Sequence, residues 1–170
     1  MRVTAGEAEG TSREGSMEKQ EALRKIYLFE GLTPEELQKV VGIGEEKKYK
    51  GEETIFKEGD VGDGLYAVLS GAVRISVIVP GVGEEALAIL REGDYFGEMA
   101  LIDDYPRSAT AIAHGDSLLL KIEKEAFKRL LFEELAVAYK LLWVFAKTLS
   151  SRLRETDERL KGMMSLAKSF

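Results

Sequence analysis

Between Tyr49 and Ile122 the chain is built of short runs rich in Val, Ile, Leu and Tyr. They are broken at Gly59-Asp60, Gly62-Asp63-Gly64, Ser70-Gly71, Pro80-Gly81 and Glu92-Gly93-Asp94. Apolar segments this short, closed off by turn residues at regular intervals, fit a closed or rolled antiparallel sheet better than any helical packing. The spacing predicts strands over Thr54–Phe56, Leu65–Leu69, Ala72–Val79, Ala86–Leu90, Ser108–Ala113 and Ser117–Ile122. In the third of these, Val73, Ile75, Val77 and Val79 alternate with Arg74 and Ser76, so the odd-numbered face is expected to point inward. Gly81-Val82-Gly83-Glu84-Glu85-Ala86 has the spacing of a dinucleotide fingerprint. That motif needs a strand leading into a helix, and here it follows Pro80 in a β-rich stretch, so a hairpin connection is expected instead.

Helices flank this region. Thr33-Pro34-Glu35-Glu36 supplies an N-cap threonine, a proline at the first helical position and a glutamate three residues after the cap, which predicts a helix over Thr33–Val41. A shorter helical pattern runs from Met17 to Ile26. After Ile122 the glycine turns stop, and Lys124–Leu131 followed by Glu133 to about Gly162 reads as a short helix and then a long one. In the long helix Leu135, Tyr139, Leu142, Ala146, Leu149, Leu153, Thr156, Leu160 and Met163 alternate spacings of four and three. This heptad seam fits either packing on the helix's own domain or pairing with a second copy. Residues 1–16 show no periodicity and read as a flexible tail. The expected division is therefore tail 1–16, N-terminal helices 17–45, β-roll 46–123 and C-terminal helices 124–170.

Composition narrows the chemistry. A chain of 170 residues with 45% hydrophobic and 32% charged residues can form one proper core. It has no cysteine and one histidine, His114. Thiolate zinc sites, cysteine nucleophiles and imidazole-rich metal centres of the cupin type therefore lose their ligands. A net charge of -6 disfavours direct DNA binding, which needs clustered Lys and Arg against the phosphates. No apolar stretch is long enough to span a bilayer, and a cytoplasmic, non-catalytic protein is expected.

The segment richest in chemistry is Phe96-Gly97-Glu98-Met99-Ala100-Leu101-Ile102, followed by Pro106-Arg107-Ser108-Ala109-Thr110. Gly97 lets backbone approach a ligand closely, and a helical turn starting at Glu98 would offer free N–H groups to an anion. Arg107 can hold two phosphate oxygens at once, and Ser108 adds a donor. Glu98 would repel a phosphate, so it is expected to face a donor while Arg107 balances its charge.

This segment resembles the phosphate-binding cassette of the cyclic nucleotide-binding domain family, which includes the catabolite activator protein, protein kinase A regulatory subunits and nucleotide-gated channels. The resemblance extends from about Leu28 to the C-terminal helix, through Phe56-Lys57-Glu58-Gly59-Asp60, Leu65–Val73 and Gly93–Glu98. It implies a mainly β fold, an eight-stranded antiparallel β-roll flanked by helices, and a bound cAMP or, second, cGMP. By the same resemblance Glu98 would accept the ribose 2′-hydroxyl, and Arg107 and Ser108 would hold the cyclic phosphate. Gly97, Met99, Ala100 and Ala109 would contribute backbone, and Ile75 and Leu87 would wall the base. Ser151–Asp157 resembles the activator's dimerisation helix, where Thr156 would read adenine. Asp157 departs from that pattern. Only a short tail follows Met164, so no helix-turn-helix is expected. The resemblance implies a homodimer through the C-terminal helix and an unidentified protein effector. The rival expectation is a degenerate member of the fold that serves as a protein-interaction scaffold.

Overall fold

The computed structural model describes residues 19–103 and 105–167, with side chains described up to residue 165. The expected tail at 1–16, the start of the first helical pattern and the last three residues lie outside the described residues. Helix α1 covers residues 19–24, and a 3₁₀ turn follows at Tyr27–Phe29. Helix α2, Pro34–Ile43, opens with the expected reciprocal cap. The Glu36 N–H donates to Thr33 Oγ1 at 3.3 Å, and the Thr33 N–H donates to Glu36 Oε2 at 2.7 Å.

Eight strands follow: β1 Gly44–Tyr49, β2 Thr54–Phe56, β3 Gly64–Ser70, β4 Ala72–Val79, β5 Gly83–Arg91, β6 Tyr95–Phe96, β7 Thr110–Ala113 and β8 Ser117–Glu123. They form two four-stranded antiparallel sheets, ordered β1-β8-β3-β6 and β2-β7-β4-β5. Helix α3, Met99–Ile102, interrupts the roll between β6 and β7. Helices α4, Lys124–Glu133, and α5, Leu135–Ala167, close the chain.

The first sheet lies between two apolar layers, which is why β3 reads as an unbroken apolar run and not as an alternation. Leu65 and Ala67 of β3, Tyr95 of β6 and Leu120 and Ile122 of β8 pack under the helices with Leu28, Phe29, Leu37, Phe127, Leu141 and Phe145. On the other face Tyr66, Val68, Phe96 and Leu119 fill the interior of the roll with Val73 and Ala111. Only one face of the second sheet reaches that interior.

Several details depart from the sequence expectation, among them strand β6, whose two residues were not predicted as a strand. The sequence pattern does not predict strand β1, whose Glu and Lys residues show no apolar alternation. They pair with β8 along its whole length, and tertiary pairing overrides weak intrinsic propensity at an edge. Strand β7 begins at Thr110, so Ser108 and Ala109 belong to the turn leaving Arg107. In the β4–β5 hairpin Ile75 pairs with Ala88 and Ser76 with Ala86, which leaves Leu87 as the extra residue of a bulge. Leu87 is 49% exposed and borders the open cavity described below. Ser76, expected to face outward, is buried and donates to Glu84 Oε1 at 2.7 Å. The connection itself is residues 80–82, and Gly83–Ala86 already belongs to β5, so this glycine-rich segment lies in a hairpin, as expected, and not in a strand-to-helix turn.

Helix α5 has two apolar stripes. Val137, Ala138, Leu141 and Phe145 pack on the domain. Most of the heptad seam is a different stripe: Leu135, Tyr139, Leu142, Leu153, Leu160 and Met163 are exposed, and Leu149 is half-buried. Among the described residues no helix is long and apolar enough to cross a membrane.

Candidate functional site

Arg107 is placed by the turn after β2. The Lys57 N–H donates to Asp60 Oδ2 at 2.8 Å and the Glu58 N–H to Thr110 Oγ1 at 3.0 Å, which fixes the Phe56–Asp60 loop. That loop grips the Arg107 backbone from both sides. The Arg107 N–H donates to Asp60 O at 2.8 Å, and the Gly59 N–H donates to Arg107 O at 2.9 Å.

The side chain turns inward, and the residue as a whole is 5% exposed. Its guanidinium carbon lies 4.1 Å from the centre of the Phe56 ring, which packs with Tyr66 and Phe96 in one aromatic cluster. A desolvated cation over an aromatic face gains roughly 2 kcal/mol. Nη1 donates to Gly97 O at 3.0 Å, and Nη2 donates to Gly64 O at 2.8 Å and Asp63 Oδ1 at 3.0 Å. Nε is buried and has no hydrogen-bond partner among the described residues. A buried unsatisfied donor is costly, and each one calls for an explanation.

Gly97 follows β6 at φ +78°, and α3 starts two residues later. Glu98, between them, is 1% exposed, and Arg152 of α5 forms an ion pair with its Oε1. Facing a donor is what the sequence required of Glu98, although the donor here is a second arginine. Beside this pair the Tyr95 hydroxyl donates to Thr148 Oγ1 at 2.8 Å, and the Tyr95 ring meets Phe145 edge-on. Burial raises the Tyr95 pKa, so the phenol stays a donor. The cassette and α5 are thus joined at Phe145, Thr148 and Arg152, one stripe of the helix.

A cavity of about 590 Å³ opens between the second sheet, α3 and α5. Every residue proposed from the sequence borders it: Gly97, Glu98, Met99, Ala100, Arg107, Ser108, Ala109, Ile75, Leu87 and Thr156. The Thr156 hydroxyl donates to Arg152 O at 2.8 Å, one turn back in its own helix, and keeps its acceptor lone pairs. The sequence reading missed Phe56, Phe96, Arg152, Glu155 and Arg159, which also line the cavity. Arg152, Glu155 and Arg159 lie on the same helix face as Thr156, and helical spacing from it was the signal that could have found them. Among the described residues no cluster of His, Cys, Asp and Glu could hold a metal ion.

A two-sheeted antiparallel roll interrupted by a Gly-Glu-helix cassette, with a buried arginine at its mouth, is the architecture of a regulatory nucleotide-binding domain. The sequence matches the family described as cyclic nucleotide-binding domain over residues 46–134, and the chain belongs to that family. It is 40% identical over 133 residues to the cyclic AMP receptor protein of Thermus thermophilus, covering 78% of this chain and 60% of that one. It is 39% identical over 109 residues to a cAMP-dependent protein kinase regulatory subunit of Colletotrichum orbiculare, covering 64% of this chain and 27% of the relative. The crystal structure of a cyclic nucleotide-binding domain from Methylobacillus flagellatus superposes with a TM-score of 0.74 at 28% identity, covering 86% of this chain and 82% of that one. The chain thus spans less than two thirds of the length of these two curated relatives.

Proposed function

We propose that this chain is a non-catalytic, cytoplasmic sensor domain that binds cAMP, with cGMP second, and signals through α5. Arg107 pairs with the cyclic phosphate, helped by Ser108 and by the N–H groups of Gly97, the first turn of α3 and Ala109. Glu98 accepts the ribose 2′-hydroxyl. Ile75 and Leu87 wall the base, and Thr156 approaches it from α5. A ligand that engages Glu98 acts directly on Arg152, so the cassette and the long helix respond together. The signal can be no larger than the ligand's preference for one arrangement of the two. The exposed seam supports a homodimer through α5, with a protein effector downstream and no direct DNA contact.

One observation carries this reading: a nearly fully buried arginine, whose Nε has no partner among the described residues, stands beside a left-handed glycine and the start of a helix, on a cavity bordered by all ten proposed residues. Calorimetric titration with cAMP and cGMP tests it. Hydrogen bonds to a charged phosphate contribute about 1.5–3 kcal/mol each, so Arg107→Ala should weaken binding at least tenfold. Equal affinities in wild type and Arg107→Ala would refute the site. The rival scaffold reading draws on the fact that Arg107 and Glu98 already have protein partners. Amide-exchange protection of residues 97–109 on adding nucleotide favours the sensor, and its absence favours the scaffold.

A further inference from the structure

Behind Arg107 lies a charge chain whose members Asp63, Lys121 and Glu123 are not among the residues lining the cavity. Asp63 divides its carboxylate between two cations: Oδ1 accepts from Arg107 Nη2 at 3.0 Å, and Oδ2 accepts from Lys121 Nζ at 2.5 Å. Lys121 stands on β8, opposite Tyr66 of β3, and also meets Glu123 Oε1 at 2.8 Å. The two cations are sunk in the fold, with side-chain exposures of 3% for Arg107 and 14% for Lys121. The two carboxylates are half in water, at 51% and 57%. Solvent screens the carboxylates far more than the cations, so the chain leaves a positive field on its buried side.

Geometry gives Lys121 a more specific task. A carboxylate beside a guanidinium favours a two-point fork, which would occupy one whole edge of the arginine. Asp63 makes only a one-point contact, because its second oxygen is held by Lys121. The guanidinium therefore keeps Nε without a partner among the described residues.

We propose that Lys121 is a positioning residue for the phosphate site: by holding Asp63 Oδ2 it prevents Asp63 from closing onto Arg107 and keeps the guanidinium edge available to an anionic ligand. This inference rests on the cyclic nucleotide reading above. Burial acts to lower the Lys121 pKa, but its bonds to Asp63 and Glu123 outweigh burial and raise it, so the lysine stays charged across the physiological range.

The experiment is calorimetric titration of cAMP and cGMP into wild type, Lys121→Met, Lys121→Arg and the double variant Lys121→Met/Asp63→Asn, with thermal unfolding run on each. Lys121→Met keeps the aliphatic stem but frees Asp63, and should weaken the tighter ligand by about fivefold to tenfold, the worth of part of one charge-assisted bond. Lys121→Arg should restore affinity to within about threefold of wild type, since it keeps the cation on Asp63. The double variant should recover affinity relative to Lys121→Met, because an amide cannot compete for the guanidinium as a carboxylate does. A merely structural lysine would give a double variant no better than the single one, and that result overturns the proposal, as does wild-type affinity in a folded Lys121→Met. If wild type itself binds neither nucleotide, the sensor reading falls first and this inference falls with it.

Discussion

Replacing Gly97 by alanine separates backbone strain from damage to the anion site. At φ +78° an added Cβ would stand 2.6 Å from Arg107 Nη1 and 3.2 Å from Gly64 O. Left-handed backbone costs an L-residue roughly 1–2 kcal/mol whatever the surroundings. A carbon cannot rest 2.6 Å from a nitrogen it is not bonded to, so the guanidinium must withdraw and lose its 3.0 Å bond to Gly97 O. A bond to a charged group contributes about 1.5–3 kcal/mol, so Arg107 cannot keep both its place and its partners. Retreat is hindered by the Phe56 ring on one side and the Asp63 and Gly64 acceptors on another. Gly81, in the β4–β5 hairpin, provides a matched control, with φ +79° and nothing within 4 Å of an added Cβ. Gly81→Ala should lose about 1–2 kcal/mol in urea unfolding, the cost of the backbone alone, and Gly97→Ala should lose more, because it also forfeits a bond of the buried guanidinium. Only Gly97→Ala should also lose nucleotide affinity, by tenfold or more in calorimetry on the scale of one charge-assisted bond. If the two variants bind equally well, placement of the Arg107 guanidinium is not what the site depends on.

Arg152→Ala strips the buried Glu98 carboxylate of its cation and should cost about 1–3 kcal/mol in urea unfolding, toward the lower end because Arg152 is 45% exposed. Adding Glu98→Gln should return most of it. In the exposed seam, Leu153→Asp places a charge between helices if two copies pair there, so light scattering should report a dimer for wild type and a monomer for the variant. Burial acts to raise the Asp63 pKa, but the bond and charge of Lys121 and the charge of Arg107 outweigh it and hold the carboxyl below its usual value. Its contribution to stability is therefore complete above the unfolded value of about 3.9 and is lost as pH falls through the lower folded one. The stability difference between wild type and Asp63→Asn, followed by urea unfolding, should stay constant above about pH 5 and shrink below about pH 4.

Features fixed by local chemistry were legible before the structure. The α2 cap needs only Thr33, Pro34 and Glu36 in that order. The β4–β5 turn needs only Pro80 and the glycines around it, and the cassette announces itself through Gly97, Glu98, Pro106 and Arg107 in one short stretch. Features that depend on a distant neighbour were not legible. Strand β1 is a row of charges until β8 lies beside it, and β6 is only two residues long, held by β3.

Local sequence by itself determined the period of most elements and singled out the side chains proposed for the anion site, because backbone preference and side-chain chemistry act over a few residues. Tertiary structure alone decided which charges meet. Glu98 finds Arg152, 54 positions away, and Arg107 finds Asp63, 44 positions away. It also decided which stripe of α5 is buried. Apolar spacing shows that a helix has a face but not which surface will cover it, and here the roll took Val137, Leu141 and Phe145 and left the heptad seam exposed.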